Sequence, residues 1–168
     1  MQTYNSIKQT QAYKQDNNSC TVVASALAFD TDYTEMTSYY ASKGRKVGKG
    51  VTHSLSIDIV KTLAKAKGYK YKRMQKLEIV KLTKGKTMTV GNSKKYLDKS
   101  KNYVIFSAGH AIGAVGGIVD DFTKTSKRPI HTIIELTPPK NKVATLQNIR
   151  EADITDLLEQ AMELLKWI

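Results

Sequence analysis

The nine residues from Thr21 to Phe29, Thr-Val-Val-Ala-Ser-Ala-Leu-Ala-Phe, carry no charged side chain. A helix that is apolar on nearly every side has no face to offer water, so this run must lie inside the fold. Asn18 or Ser19 can cap it, and Asp30-Thr31-Asp32 ends it. A second helix is expected from about Asp32 or Thr34 through Met36, Tyr39 and Tyr40 to Gly44, which suits a left-handed C-terminal cap. Gly44-Arg45-Lys46-Val47-Gly48-Lys49-Gly50 lacks the spacing of a phosphate-binding loop and reads as a basic surface loop. Thr52 then caps a helix whose stripe is Leu55, Ile59, Leu63 and Ala66, stopped by Gly68. Residues 69–82 alternate loosely enough for a short strand, and Thr89 caps a short helix through Tyr96 and Leu97.

Strand signals follow. Asn102 to Ser107 is one strand and His110 to Val115 a second; Gly116-Gly117 makes a two-residue turn into a third, Ile118 to Phe122. Pro129 to Leu136 is a fourth, and Pro138-Pro139 closes the sheet region. Helices first and an antiparallel meander second define an α+β class. The domain is expected over 1–137. A linker and an amphipathic helix from about Ala152 occupy 138–168, with Ile154, Leu157, Leu158, Ala161, Leu164, Leu165 and Ile168 at helical spacing. That helix is a docking face or a surface for self-association.

Composition narrows the function classes. A chain of 168 residues, 40% hydrophobic and 25% charged, fits one globular domain. No apolar run reaches membrane-spanning length, so no membrane partner is expected, and residues 1–15 lack a secretory signal. One cysteine, Cys20, excludes an internal disulfide and a cysteine-rich zinc site, which makes a reducing cytoplasm the expected compartment. The net charge of +12 is uneven: residues 41–105 hold eighteen Lys or Arg against three acids. Such a block attracts polyanions, so nonspecific nucleic acid or an acidic protein is a candidate partner. Lysine outnumbers arginine there and aromatics are few, which argues against specific base reading. Three histidines and one cysteine lie too far apart in sequence for a zinc site, and no metal or other cofactor is expected.

The cysteine stands at the start of the apolar helix, where unpaired backbone amides and the helix dipole favour a thiolate. Those amides, that of Cys20 included, can also hold an oxyanion. His110 is the candidate base, uncrowded between Gly109 and Ala111. With Gly116-Gly117 as the turn, Val115 pairs with Ile118 and His110 falls opposite Thr123. Side-chain alternation then puts Asp121 on the face of His110 and Asp120 on the other. Asp121 can therefore accept a bond from the imidazole and fix its tautomer. His53 and His131 are read as surface or structural residues.

The order Cys20, His110, Asp121 resembles that of papain-like cysteine peptidases, including the branch that processes bacteriocin leaders. More closely, the chain is similar to small phage and bacterial papain-like proteins. The matching features are Asn18 to Ala26, the loop from Gly44 to Gly50, Met88-Thr89-Val90-Gly91, and Gly109-His110-Ala111 through Gly117 to Val119-Asp120-Asp121. The resemblance covers about Gln15 to Leu136 and leaves the terminal segment outside. It implies a papain-like fold, a Cys20-His110-Asp121 triad, a protein or peptide substrate, and a host-cytoplasm location if the chain is phage-encoded. Gln15 stands one residue nearer the cysteine than the family's oxyanion glutamine, with Asn17 and Asn18 as alternatives; Ser19 replaces an aspartate common in the group. Deamidation and acyl transfer would use the same triad. A reading from another class is a catalytically degenerate scaffold that binds nucleic acid or an acidic host protein through the basic middle.

Overall fold

The polar start of the chain is helical in the computed structural model, which describes residues 2–139. Thr3 caps α1 (Tyr4–Gln9) by accepting from the Ser6 amide, and Thr10 caps α2 (Gln11–Lys14) by accepting from Tyr13. Ile7 is the one buried residue of the pair, so no apolar periodicity marks either helix in the sequence.

The uncharged run forms α3 (Cys20–Phe29), and every residue from Thr21 to Phe29 is buried. Its cap differs from the expectation. Ser19 holds the cap position, but its hydroxyl donates to the Asp16 carbonyl instead of accepting from the helix. Asp32 caps α4 (Tyr33–Ser42), and Gly44, at φ +93°, lets the Arg45 amide return to the Tyr40 carbonyl. Thr52 caps α5 (His53–Ala66) as expected. Its buried stripe is Ile57, Ile59, Val60, Leu63 and Ala64; Leu55 and Ala66, expected on it, are exposed.

Residues 69–82 hold more than one short strand. β1 (Lys70–Gln75) runs directly into α6 (Lys76–Leu82), where the Glu78 carboxylate accepts from the Gln75 amide. Leu77, Val80 and Leu82 of α6 are exposed, so its period does not read as a core stripe. After Thr89 the chain makes only a 3-10 turn, Ser93–Lys95, in place of the expected longer helix.

β2 (Asn102–Ser107), β3 (His110–Val115), β4 (Ile118–Val119) and β5 (Ile130–Thr137) complete an antiparallel sheet in the order β1-β5-β2-β3-β4. The architecture is α+β. Gly116 and Gly117, at φ +57° and +70°, turn the β3–β4 hairpin with Val115 opposite Ile118. The third strand is shorter than expected. The ladder ends at Val119, with one more bond from the Asp120 amide to the Gly113 carbonyl, and Phe122 lies beyond it. At this end of the hairpin the Asp120 carboxylate accepts from the Tyr4 amide at 2.7 Å, tying α1 to the sheet edge.

Alternate sheet residues serve two cores. Val104, Phe106, Ala111, Ile134 and Leu136 pack with α3, α4 and α5, while Ile105, Ile112 and Ile133 pack with Met74, Ile79 and Met88. The approach of α3 to β3 depends on Gly113, where an added Cβ would lie 2.8 Å from the Leu27 Cβ and 3.0 Å from the Ala24 carbonyl oxygen. Gly113→Ala is therefore expected to destabilise the protein by about 1–3 kcal/mol, read from the urea midpoint. An unchanged midpoint would contradict this packing. The helix expected from Ala152 lies outside the described residues. Among those described, no helix is long and apolar enough to cross a membrane.

Candidate active site

Cys20 is the first residue of α3 and only partly buried. The amide of Val23 closes the turn onto the Ser19 carbonyl, so the amides of Cys20 to Val22 precede the helical ladder and are available to anionic chemistry. His110 opens β3, and a hydrogen-bonded sheet holds that strand beside α3.

His110 Nε2 lies 3.1 Å from both oxygens of Asp121. Asp121 is reached by a different route from the one the strand pattern predicts, since it sits in the turn after β4. There the Thr123 amide and hydroxyl both donate to Oδ1, at 2.8 and 2.6 Å. The carboxylate is buried, and burial opposes its charge. The bonds from His110 and Thr123 outweigh that cost and hold its pKa below the usual carboxylate value.

Burial likewise disfavours charge on His110, but Asp121 and then Cys20 override it and raise the imidazole to about 9. Burial pushes the Cys20 thiol up, and His110 with the Ala111 amide pulls it down further, leaving it below its ordinary value. With Nε2 engaged by Asp121, Nδ1 is the nitrogen left to exchange a proton with Cys20. Both shifts run in the direction that favours a thiolate–imidazolium pair over the neutral thiol and imidazole.

The turn that delivers Cys20 is fixed by residues that motif reasoning passed over. Asp16 accepts from Arg45 at 2.7 and 2.8 Å in a bidentate pair, both side chains 1% exposed. The Gly48 amide donates to Asp16 as well, and Arg45 also reaches the Asn18 carbonyl. The loop from Gly44 to Gly50 is therefore no simple basic surface loop: Arg45 is buried in it. The available signal was an arginine among lysines, together with an unexplained acid four residues before the cysteine.

Two cavities meet at the Cys20–His110 pair. One, of about 580 Å³, includes Tyr4, Lys14, Asn17, Asn18 and Phe122 in its wall. The other, of about 420 Å³, is bounded by Val51, His53, Phe106, Ala108 and His131. His53 and His131 are both exposed, and neither touches the triad through a hydrogen bond. Ser107 faces His110 across the β2–β3 ladder, and its hydroxyl is buried without a partner on the edge of the second cavity. That hydroxyl is a buried polar group left unsatisfied beside the pair.

The oxyanion candidates separate. Asn18 lines both cavities and donates to the Gly48 carbonyl at 3.0 Å, while Asn17 lines the first. Gln15 is exposed at the end of α2 and lines neither. No group of three or more His, Cys, Asp or Glu suited to a metal ion occurs among the described residues. Comparison with protein-family models, with curated proteins and with solved structures finds no match for this chain.

Proposed function

We propose that this chain is a papain-like cysteine hydrolase that cleaves an amide bond, with its catalytic unit within residues 1–137. The observation that carries the reading is the bond from His110 Nε2 to the buried Asp121 beside a thiol of depressed pKa. In acylation the Cys20 thiolate attacks the carbonyl carbon, and the oxyanion forms against the Cys20 amide and the Asn18 side chain. The His110 imidazolium gives its Nδ1 proton to the leaving nitrogen as the C–N bond breaks. In deacylation neutral His110 takes a proton from water, hydroxide adds to the thioester, and the thiolate leaves with the acid product. Asp121 keeps the ring oriented throughout. Cavities on both sides of Cys20 suit a substrate chain that continues past the reacting carbonyl in each direction.

Iodoacetamide labelling across pH is the direct test. Cys20 is expected to reach half its maximal rate below the ordinary thiol value of about 8.5. A profile centred on that ordinary value would overturn the proposal. New amino termini among the products identify a peptidase, and released ammonia a deamidase.

The pH dependence of turnover has a definite sign. Activity rises as pH climbs through the depressed value of Cys20, because the thiolate fills. It falls as pH passes about 9, because His110 loses the proton it must donate. Asp121→Asn removes the carboxylate that holds that proton, so the alkaline limb is expected to move down by about 1–2 pH units. An unmoved limb in a kcat/KM profile would show that Asp121 does not orient or charge His110.

A further inference from the structure

We infer that the site prefers an anionic peptide, with an acidic side chain on one side of the reacting amide between Lys8 and Lys14 and an apolar neighbour against Tyr4, Tyr13 and Phe122. This rests on the hydrolase reading and names its substrate class. The first forty residues are slightly acidic, with two lysines against four acids, yet both lysines line the larger cavity. The four acids are otherwise engaged. Asp16 is locked to Arg45, Asp30 accepts from the Gln2 amide, Asp32 caps α4, and Glu35 lies 3.5 Å from Lys67. Asp121, the remaining acid in that wall, is held by His110 and Thr123.

Unspent positive charge therefore faces this cavity. Lys8 Nζ stands 5.5 Å from the Tyr4 ring centroid, and among the described residues no carboxylate pairs with Lys8 or Lys14. The apolar wall is only partly committed, since Tyr4 and Tyr13 pack on the core but Phe122 projects beyond it. Phe122 is 66% exposed, with its ring 5.1 Å from His110 and 6.1 Å from Tyr4, and Tyr4 meets Tyr13 edge-on at 6.4 Å. The smaller cavity has no Lys, Arg, Asp or Glu in its wall, so the charge preference belongs to one side of the bond only.

The test compares internally quenched peptides of one length whose flanking residues are glutamate, alanine or lysine. Wild-type protein is expected to favour glutamate over lysine about tenfold in kcat/KM at low salt, with the ratio shrinking in about 0.5 M salt. The Lys8→Glu, Lys14→Glu double variant is expected to reverse the order through KM. Equal hydrolysis of acidic and basic peptides, or an order unmoved by charge reversal, overturns the inference and leaves the hydrolase reading standing. Anisotropy of the same peptides, labelled, on Cys20→Ala reads the preference without turnover, and equal affinities there also overturn it. Failure to hydrolyse any peptide, together with ordinary thiol labelling, removes the hydrolase reading itself.

Discussion

Cys20→Ala is expected to lower amide hydrolysis by about 10⁴-fold or more, because nucleophile and base act as a unit. His110→Ala should cost nearly as much, and the double variant little further, since neither partner does its chemistry without the other. The fold is expected to tolerate the cysteine change. Its side chain is only partly buried, and α3 is held by nine buried residues behind it, so the loss of stability should be about 1 kcal/mol or less. Hydrolysis by Cys20→Ala at the wild-type rate would end the proposal, and a large fall in its melting temperature would make Cys20 a packing residue first.

Arg45→Ala carries the largest expected effect on stability, a loss of about 3–5 kcal/mol measured by urea unfolding. A buried ion pair adds little over an apolar pair of equal volume, but removing one member strands the other charge in a dry site. Here Asp16 would keep only backbone donors, the amides of Gly48 and Asn18, and the Asn18 carbonyl would lose its donor. Arg45→Lys should not rescue it, because one ammonium cannot reproduce two parallel bonds to a carboxylate. Replacing both residues, Asp16→Leu with Arg45→Met, is expected to recover part of the loss. The Gly48 amide and Asn18 carbonyl would remain unsatisfied. The same variants should slow Cys20 labelling, since the turn that aims the thiol depends on the pair. Arg45→Ala with wild-type stability would show that water reaches this pair freely.

The elements that sequence exposes well here are those whose burial is one-sided or total. The uncharged run of α3, the Gly44 terminus of α4 and the Gly116-Gly117 hairpin each follow from a local rule that the tertiary structure does not oppose. α1 and α2 escape notice because Ile7 is their one fully buried residue and Tyr4, Ala12 and Tyr13 only lean on the core, and α6 because it leaves Leu77 in water. Cys20, His110 and Asp121 were legible as a set, but the route to Asp121 was not. Strand alternation places it by a ladder extended to Phe122, whereas the chain leaves the sheet at Asp120, which meets Tyr4, and Thr123 then anchors the Asp121 carboxylate. Arg45 was hidden for a different reason: its neighbours are solvated lysines, and a bidentate partner across the fold leaves no local trace.

The packing of α3 against β3 has a consequence for the order in which the chain becomes reactive. Cys20 is synthesised before the strand bearing His110 and the turn bearing Asp121, which follow only after α4 to α6, β1 and β2. Until those residues dock, the thiol has neither its base nor the Ala111 amide, and it behaves as an ordinary cysteine. The close approach of Gly113 to Leu27 and Ala24 is the contact that holds β3 against α3 and so keeps these groups together. On the hydrolase proposal, a partly folded chain would therefore be chemically quiet, and the thiol would gain its reactivity only with the packing of β3 on α3.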